Sequence, residues 1–258
     1  MILAADIGNS TVGIGLIDNG KIVMSEKIMT DVSEIEINYR EEISRIIKNR
    51  RIDRIDGAVI SSVVPLMTGI IKNAVFVEFG VEPLIVSCET TCGITIAADE
   101  PQKVGSDRIA DACGAAAEYG TPLIIIDMGT ATTVSVINRK NEFIGGMILP
   151  GVRTALNSLI RNTAQLPQIK LSKPPESIIG RNTAQSIQSG IIYGTASCID
   201  GICQRLSEEL GYKPVIVATG GNAEKIIPCC NHEIILDKNL LFKGLDIIYN
   251  EYGENKNA

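Results

Sequence analysis

Asp6-Ile7-Gly8-Asn9-Ser10-Thr11 and Asp127-Met128-Gly129-Thr130-Ala131-Thr132-Thr133 are the two stretches whose reading decides the fold. Each follows a short apolar run, residues 2–5 and 123–126, and each opens directly into an alternating segment, residues 12–18 and 134–137. A strand that ends in an acid, a glycine and small polar residues, then turns back, builds a small polar pocket. The carboxylate can face a hydrated cation, glycine lets main-chain N–H groups approach an anion, and the short side chains add hydrogen bonds. One such turn is ordinary loop chemistry. Two of them, each ending the first strand of its half, imply an internal duplication with two loops serving one ligand.

Working outward, Asn19-Gly20 between residues 12–18 and 21–28 is a strong hairpin signal. Residues 32–49 carry Ile35, Tyr39, Ile43, Ile46 and Ile47 at helical spacing. Residues 57–61 read as a buried strand ending in Ser61-Ser62, Pro65 opens a helix running to about Gly80, and residues 83–87 form another short strand. The order β-β-β-α-β-α-β is half of a mixed α/β sheet. The second half repeats it: a turn at residues 138–141, a strand over 142–149 and a helix over 152–162 after Pro150-Gly151. A long helix follows Gly180-Arg181-Asn182-Thr183, then a strand over 215–218 runs into Thr219-Gly220-Gly221. A last helix spans 239–252, and residues 253–258 are a polar tail. The division expected is 1–117 and 118–258.

The 258 residues, 45% hydrophobic and 21% charged, make a normal globular composition. A net charge of −6 argues against nucleic acid as the main partner, because a phosphate backbone needs a basic face, and leaves room for a local basic pocket for an anionic substrate. No apolar run approaches the ~18 residues of a membrane span, and no basic segment with an apolar run opens the chain. The 7 cysteines, odd in number and without C-x-x-C spacing, read as reduced thiols of a cytoplasmic protein. Cys229-Cys230 beside His232, the single histidine, lack an evident fourth ligand for a metal. P-loop, dinucleotide, protein-kinase, nucleophile-elbow and H-E-x-x-H motifs are absent. With one histidine, a Ser-His-Asp mechanism has no support. Chemistry here rests on carboxylates, backbone amides and cations.

Residues 88–104 have little periodicity and deliver Gly105-Ser106-Asp107-Arg108 to a helix start. An irregular segment of that length is usually functional, and this one supplies an acid and a guanidinium. The same residues are equally an ordinary cap by Ser106 or Asp107. Thr183 has the same two readings, and Thr219-Gly220-Gly221 is either a nucleoside rest or a plain βα turn.

Taken in order, the two Asp-x-Gly loops, Ser61-Ser62-Val63-Val64-Pro65, Gly105-Ser106-Asp107-Arg108, Gly145-Gly146 with Pro150-Gly151, Gly180-Arg181-Asn182-Thr183 and Thr219-Gly220-Gly221 resemble the type III pantothenate kinase family. That family lies within the superfamily of acetate and sugar kinases, actin and heat-shock ATPases. The resemblance implies two ribonuclease-H-like domains with mixed five-stranded sheets flanked by helices. It implies transfer of phosphate from Mg²⁺-ATP to pantothenate in coenzyme A biosynthesis, by a cytoplasmic homodimer with its site near the interface. Residue by residue, Asp6, Ile7, Gly8, Asn9, Ser10, Thr11, Val12 and Gly13 would form the first phosphate loop, with Asp6 facing hydrated Mg²⁺. Thr130 would contact ATP, and Asp127 would hold a monovalent cation, K⁺ or NH₄⁺. Gly105, Ser106, Asp107, Arg108 and Thr183 would bind pantothenate, with Asp107 as general base. Ser106 stands where the family usually has alanine, and Ala98 where it tends to have an aromatic residue. The same loops would also serve a kinase of another small alcohol or carboxylate, or a nucleotide-binding regulator without catalysis.

Overall fold

The computed structural model describes residues 1–31, 36–49, 52, 54–163, 165–171 and 173–252. Residues 32–35, the expected start of the first helix, and the expected tail 253–258 lie outside that set. The chain divides into two units: Met1–Glu118 together with the final helix, and Tyr119–Lys238.

In the first unit, β1 (Ile2–Ile7), β2 (Thr11–Asp18) and β3 (Lys21–Met29) form the expected meander, followed by α1 (Glu36–Lys48), β4 (Gly57–Ser62), α2 (Pro65–Phe79), β5 (Leu84–Ile85), the short β6 (Thr95–Ile96) and α3 (Ser106–Tyr119). Asn19 (φ 48°) and Gly20 (φ 76°) both take the left-handed region that a two-residue hairpin turn needs. Pro65 opens α2 and Gly80, left-handed at φ 69°, closes it. The sheet order is β3-β2-β1-β4-β5, with β1 antiparallel to β2 and parallel to β4.

The second unit contains β7 (Leu123–Met128), β8 (Ala131–Ile137), β9 (Glu142–Pro150), α4 (Val152–Arg161), α5 (Thr183–Leu210), β10 (Val215–Thr219), α6 (Ala223–Ile226) and β11 (Ile235–Leu236). Its own strands run β9-β8-β7-β10-β11. β7 is antiparallel to β8 and parallel to β10, and β10 is parallel to β11. Strand for strand this is the order and sense of the first unit, so the core is a duplicated ribonuclease-H-like α/β sheet.

Alternation sorts the faces. Leu3, Ala5 and Ile7 of β1, Val12, Ile14 and Leu16 of β2, and Ala58 and Ile60 of β4 pack with Tyr39, Ile43, Ile46 and Ile47 of α1 and Met67, Ile71, Ala74 and Val75 of α2. Each fully buried Leu, Ile, Val or Met among them contributes about 1.5–3 kcal/mol. The other face carries glycines, and α7 (Leu240–Tyr252) fills the room they leave. A Cβ on Gly15 would lie 2.7 Å from the Phe242 ring, and one on Gly57 would overlap the Tyr249 ring. A Cβ on Gly114 of α3 would lie 2.7 Å from the Leu240 carbonyl, and one on Gly244 would overlap the Ala110 carbonyl. This close packing explains why the final helix belongs to the first unit, whereas the sequence division 118–258 assigns it to the second. The boundary itself falls between Glu118 and Tyr119.

Glycines in tight contact and glycines in open space should respond oppositely to alanine. Gly244→Ala is expected to destabilise by about 1–3 kcal/mol through overpacking. Gly201→Ala, in α5 with nothing near its added Cβ, should stabilise by about 0.5–1 kcal/mol. Thermal unfolding of the two variants beside the parent checks both signs.

Candidate functional site

The first loop is set by the ladder on either side of it. Asp6 pairs with Gly13 across the hairpin and with Ser61 of β4, and Ile7 with Val12 and Ser62. Asp6 is half-buried at the strand end, on the glycine face. The Gly8 N–H donates to the Thr11 carbonyl (3.0 Å), closing the turn. Thr30, after β3, pins it from outside: its hydroxyl donates to the Gly8 carbonyl (2.7 Å) and its N–H to the Ser10 carbonyl (3.1 Å). Asn9 is exposed, and Gly8, Ser10 and Thr11 are half-buried. Ile7 and Val12 are fully buried in the core, so their side chains pack while only their main chain borders the loop. Gly13 is buried as well, facing Phe242 at ordinary contact distance. Nothing in the sequence around Thr30 signalled its role.

The start of α3 lies in the same unit. Ile109 N–H donates to the Gly105 carbonyl (3.1 Å), which makes Gly105 the residue before the first turn. Asp107 folds back over that turn and accepts from the Arg108 N–H (2.8 Å). A Cβ on Gly105 would overlap the Asp107 carboxylate, so any larger residue there would displace that side chain. Burial pushes the Asp107 carboxyl above its ordinary value; the Arg108 N–H bond and guanidinium charge pull the other way without cancelling it. Burial likewise lowers the Arg108 value, opposed by Asp107. The result is a half-buried carboxylate beside a half-buried guanidinium at a helix N-terminus. Gly105 therefore holds the cap position, not Ser106 or Asp107 as the sequence allowed; from inside the first turn Asp107 satisfies the Arg108 N–H, which is compatible with chemistry at its other carboxylate oxygen. Ser106 is buried and turns its hydroxyl into the protein, against Ser61 and Ser62.

In the second unit Asp127 pairs with Thr133 and with Thr219 of β10. The loop after it is crowded by main chain. Gly220, left-handed at φ 90°, lies so close that a Cβ would overlap the Asp127 carboxylate, and one on Gly151 would overlap the Thr130 carbonyl. The buried Asn222 amide donates to the carbonyls of Met128 (3.1 Å) and Gly129 (3.3 Å), and the Thr154 hydroxyl to that of Thr130 (2.8 Å). Thr130 is exposed and Asp127 half-buried, while Met128 and Thr132 turn into the core face. Pro150-Gly151 and Thr219-Gly220-Gly221 were legible as motifs; Asn222 and Thr154 were not.

Thr183 is the first residue of α5 and is exposed. The sequence allowed it as the cap, but Asn182 performs that role, accepting from the Gln185 N–H (2.9 Å). Cys229, Cys230 and His232 form no metal cluster among the described residues. His232 Nδ1 sits 3.0 Å from Asp200, whose carboxylate also accepts the N–H groups of Asn231 and His232. Burial, with Asp200's charge behind it, pushes the Cys230 thiol up to about 12. These are protonated packing thiols. Among the described residues no helix is long and apolar enough to cross a membrane.

A family model described as type III pantothenate kinase matches residues 2–205. A type III pantothenate kinase of Dictyoglomus turgidum is 40% identical over 253 residues, covering 96% of this chain and 98% of the relative. One of Geotalea daltonii is 35% identical over 257 residues, covering 99% and 100%. Among solved structures, a Campylobacter jejuni protein described as a putative Baf family transcriptional activator superposes with a TM-score of 0.58 at 21% identity, over 99% of this chain and 100% of that one. Component A of (R)-2-hydroxyglutaryl-CoA dehydratase from Acidaminococcus fermentans gives 0.57 at 14% identity, over 100% and 99%. At those identities the two structures speak to the fold alone. With the model match across most of the chain and relatives aligned end to end, the chain belongs to the type III pantothenate kinase family.

Proposed function

We propose that this chain transfers the γ-phosphoryl group of ATP to the hydroxyl of pantothenate, giving 4′-phosphopantothenate and ADP, the first step of coenzyme A biosynthesis. The observation that carries the reading, in a chain of this family, is the half-buried Asp107 held by the first turn of α3 in the same unit as the Asp6 loop.

The donor set suits Mg²⁺-ATP. Asp6, Asn9, Ser10 and Thr11 present hard oxygen ligands and short polar groups where the chain turns. The Gly8 N–H is spent on Thr11, so the amides that follow it are those a phosphate would meet. Bound Mg²⁺ supplies charge neutralisation on the β and γ phosphates. Asp6 would orient it through water. Thr130 would contact ATP, and Asp127 would hold K⁺ or NH₄⁺, steadied by Gly129 and Gly220. Phosphoryl transfer asks little covalent work of a protein, so positioning and electrostatics dominate. Asp107 accepts the proton of the substrate hydroxyl, Arg108 anchors a polar or carboxylate group of pantothenate, and Gly105 and Ser106 offer main chain. Thr183 reaches substrate in a homodimer; its exposure and the assignment of capping to Asn182 support that role. Unbridged cysteines support a cytoplasmic setting.

Purified protein given Mg²⁺-ATP should release ADP in proportion to pantothenate, faster with K⁺ or NH₄⁺ than without. No pantothenate-dependent ADP under either condition would overturn the assignment.

Asp107→Asn keeps an acceptor for the Arg108 N–H and removes the base. It should lower kcat by roughly 10²–10⁴-fold with the KM for ATP little changed; near-normal kcat would refute the role. Stability should move the opposite way. A raised pKa means the folded chain holds this proton more tightly than the unfolded chain. The stability gained from the neutral form is complete below the ordinary aspartate value near ~4 and is lost as pH rises through the folded value. At pH 7 the charged carboxylate is therefore a cost, and the ligand-free Asn variant should melt above the parent. The acid limb of kcat/KM should likewise lie above the ordinary aspartate range.

A further inference from the structure

We infer that Cys92 and Cys113 form a redox modification site, at which a peroxide converts the pair to a disulfide. Cys92 is the thiol that attacks the oxidant, Cys113 the one that resolves it, and the bond closes a ring around Gly105–Arg108. The chemistry belongs to the two thiols and holds whatever acceptor the chain phosphorylates.

Both residues belong to the first unit. Cys92 lies in the irregular segment 88–104, and Cys113 lies on α3. The Cys92 N–H donates to the Cys113 sulfur (3.2 Å), and the two thiols hydrogen-bond to each other. α7 holds the same loop from another side. The Cys92 sulfur sits 3.8 Å from the Ile247 carbonyl, and the Tyr252 hydroxyl donates to the Thr91 carbonyl (2.9 Å). Sulfurs already in hydrogen-bond contact need only a small movement to reach the roughly 2.05 Å of a disulfide. Access to the two differs: Cys92 is half-buried, whereas Cys113 is 0% exposed. An oxidant arriving from solvent meets Cys92 first.

The thiolate is the nucleophile in this chemistry. The hydrogen bond from Cys113 holds the Cys92 thiol below its ordinary value, against burial and the charge of Glu251. The same bond, together with burial, pushes Cys113 far up. Other buried thiols of the chain also go up, Cys203 and Cys230 to about 12 through burial. The Cys92 thiolate attacks one peroxide oxygen, the O–O bond breaks, and the hydroxide released takes a proton to become water. Cys92 is left as a sulfenic acid. The Cys113 sulfur then attacks the Cys92 sulfur, the S–O bond breaks, and the Cys113 proton leaves with the hydroxide as a second water. Two thiols and one peroxide thus give one disulfide and two waters. The ring runs from residue 92 to residue 113, so it encloses the segment that leads into α3 and the first turn itself. A cross-link of that span restricts the unfolded chain and the excursions of the enclosed segment.

The test titrates reduced full-length protein with hydrogen peroxide, blocks remaining thiols and maps the peptides by mass spectrometry. At one equivalent the Cys92–Cys113 peptide pair should appear cross-linked and two hydrogens lighter, ahead of any oxidation at Cys88 or the exposed Cys198. Dithiothreitol should reverse it. The parent titration decides the pairing without any variant. Cys113→Ala should stop at the Cys92 sulfenic acid, captured by dimedone, and Cys92→Ser should leave Cys113 unmodified at the same dose. The oxidised parent should melt about 5–10 °C above the reduced parent, with slower amide exchange across 93–112 and no such change in Cys92→Ser. Earlier oxidation of Cys88 or Cys198, no cross-link at one equivalent, dimedone capture at Cys113, or an oxidised parent that melts no higher would each overturn the inference. None of these readouts uses turnover, so they stand or fall separately from the kinase assignment.

Discussion

The pairing of the first strand of each unit on both sides at once constrains everything built on it. β1 is bonded antiparallel to β2 and parallel to β4 along its whole length, so Asp6 has a neighbour on each side at a fixed register. β7 repeats the arrangement around Asp127. A strand so held cannot slip by one residue without exchanging its two faces. In the first unit that would drive the aliphatic set packed on α1 and α2 into the glycine face under α7. The position of each acid at its strand end is therefore secured by the core beneath it, and the loops themselves need little stability of their own.

What the sequence disclosed follows from range. The Asp-x-Gly loops, the Asn19-Gly20 hairpin and the Pro65 and Gly80 helix ends are local, and each is written in consecutive residues. The duplication was legible because the same local pattern occurs twice. The place of α7 was not, because it depends on Gly15, Gly57 and Gly114 meeting Phe242, Tyr249 and Gly244 across the length of the chain. Gly15 of β2 leaves the room that accepts the Phe242 ring. The cap of α5 was misplaced by one residue, since Asn182 and Thr183 are both good caps and only the backbone bend at Asn182 decides between them.

The site shows the same division. Asp6, Asp107, Arg108 and Asp127 were found as residue types suited to a chemistry; the structure places Asp6 and Asp127 at the ends of the first strands and Asp107 and Arg108 in the first turn of α3. Ile7, Val12 and Gly13 entered as part of a contiguous stretch, and burial separates their packing role from that of the half-exposed Gly8, Asn9, Ser10 and Thr11. The supporting residues Thr30, Asn222 and Thr154 could not be read, because a hydroxyl or amide that holds a distant carbonyl leaves no spacing pattern.

The duplicated frame also shows where the halves diverged. At the end of the parallel neighbour, the first unit has Ser61-Ser62 and the second has Thr219-Gly220. In the first, side-chain hydroxyls bring a further helix, α3, against the strand end, and that helix carries the acid and the guanidinium. In the second, glycine brings main chain directly onto Asp127. Main chain packed against a carboxylate leaves room for a small ion and little else, whereas a helix start beside a strand end can offer varied side chains to a larger polar molecule. The proposed division of labour, with the acceptor substrate beside the phosphate loop of the first repeat and the monovalent cation at the second, thus follows from what each repeat packs against the end of the same parallel strand: a helix start in one and main chain at a glycine in the other.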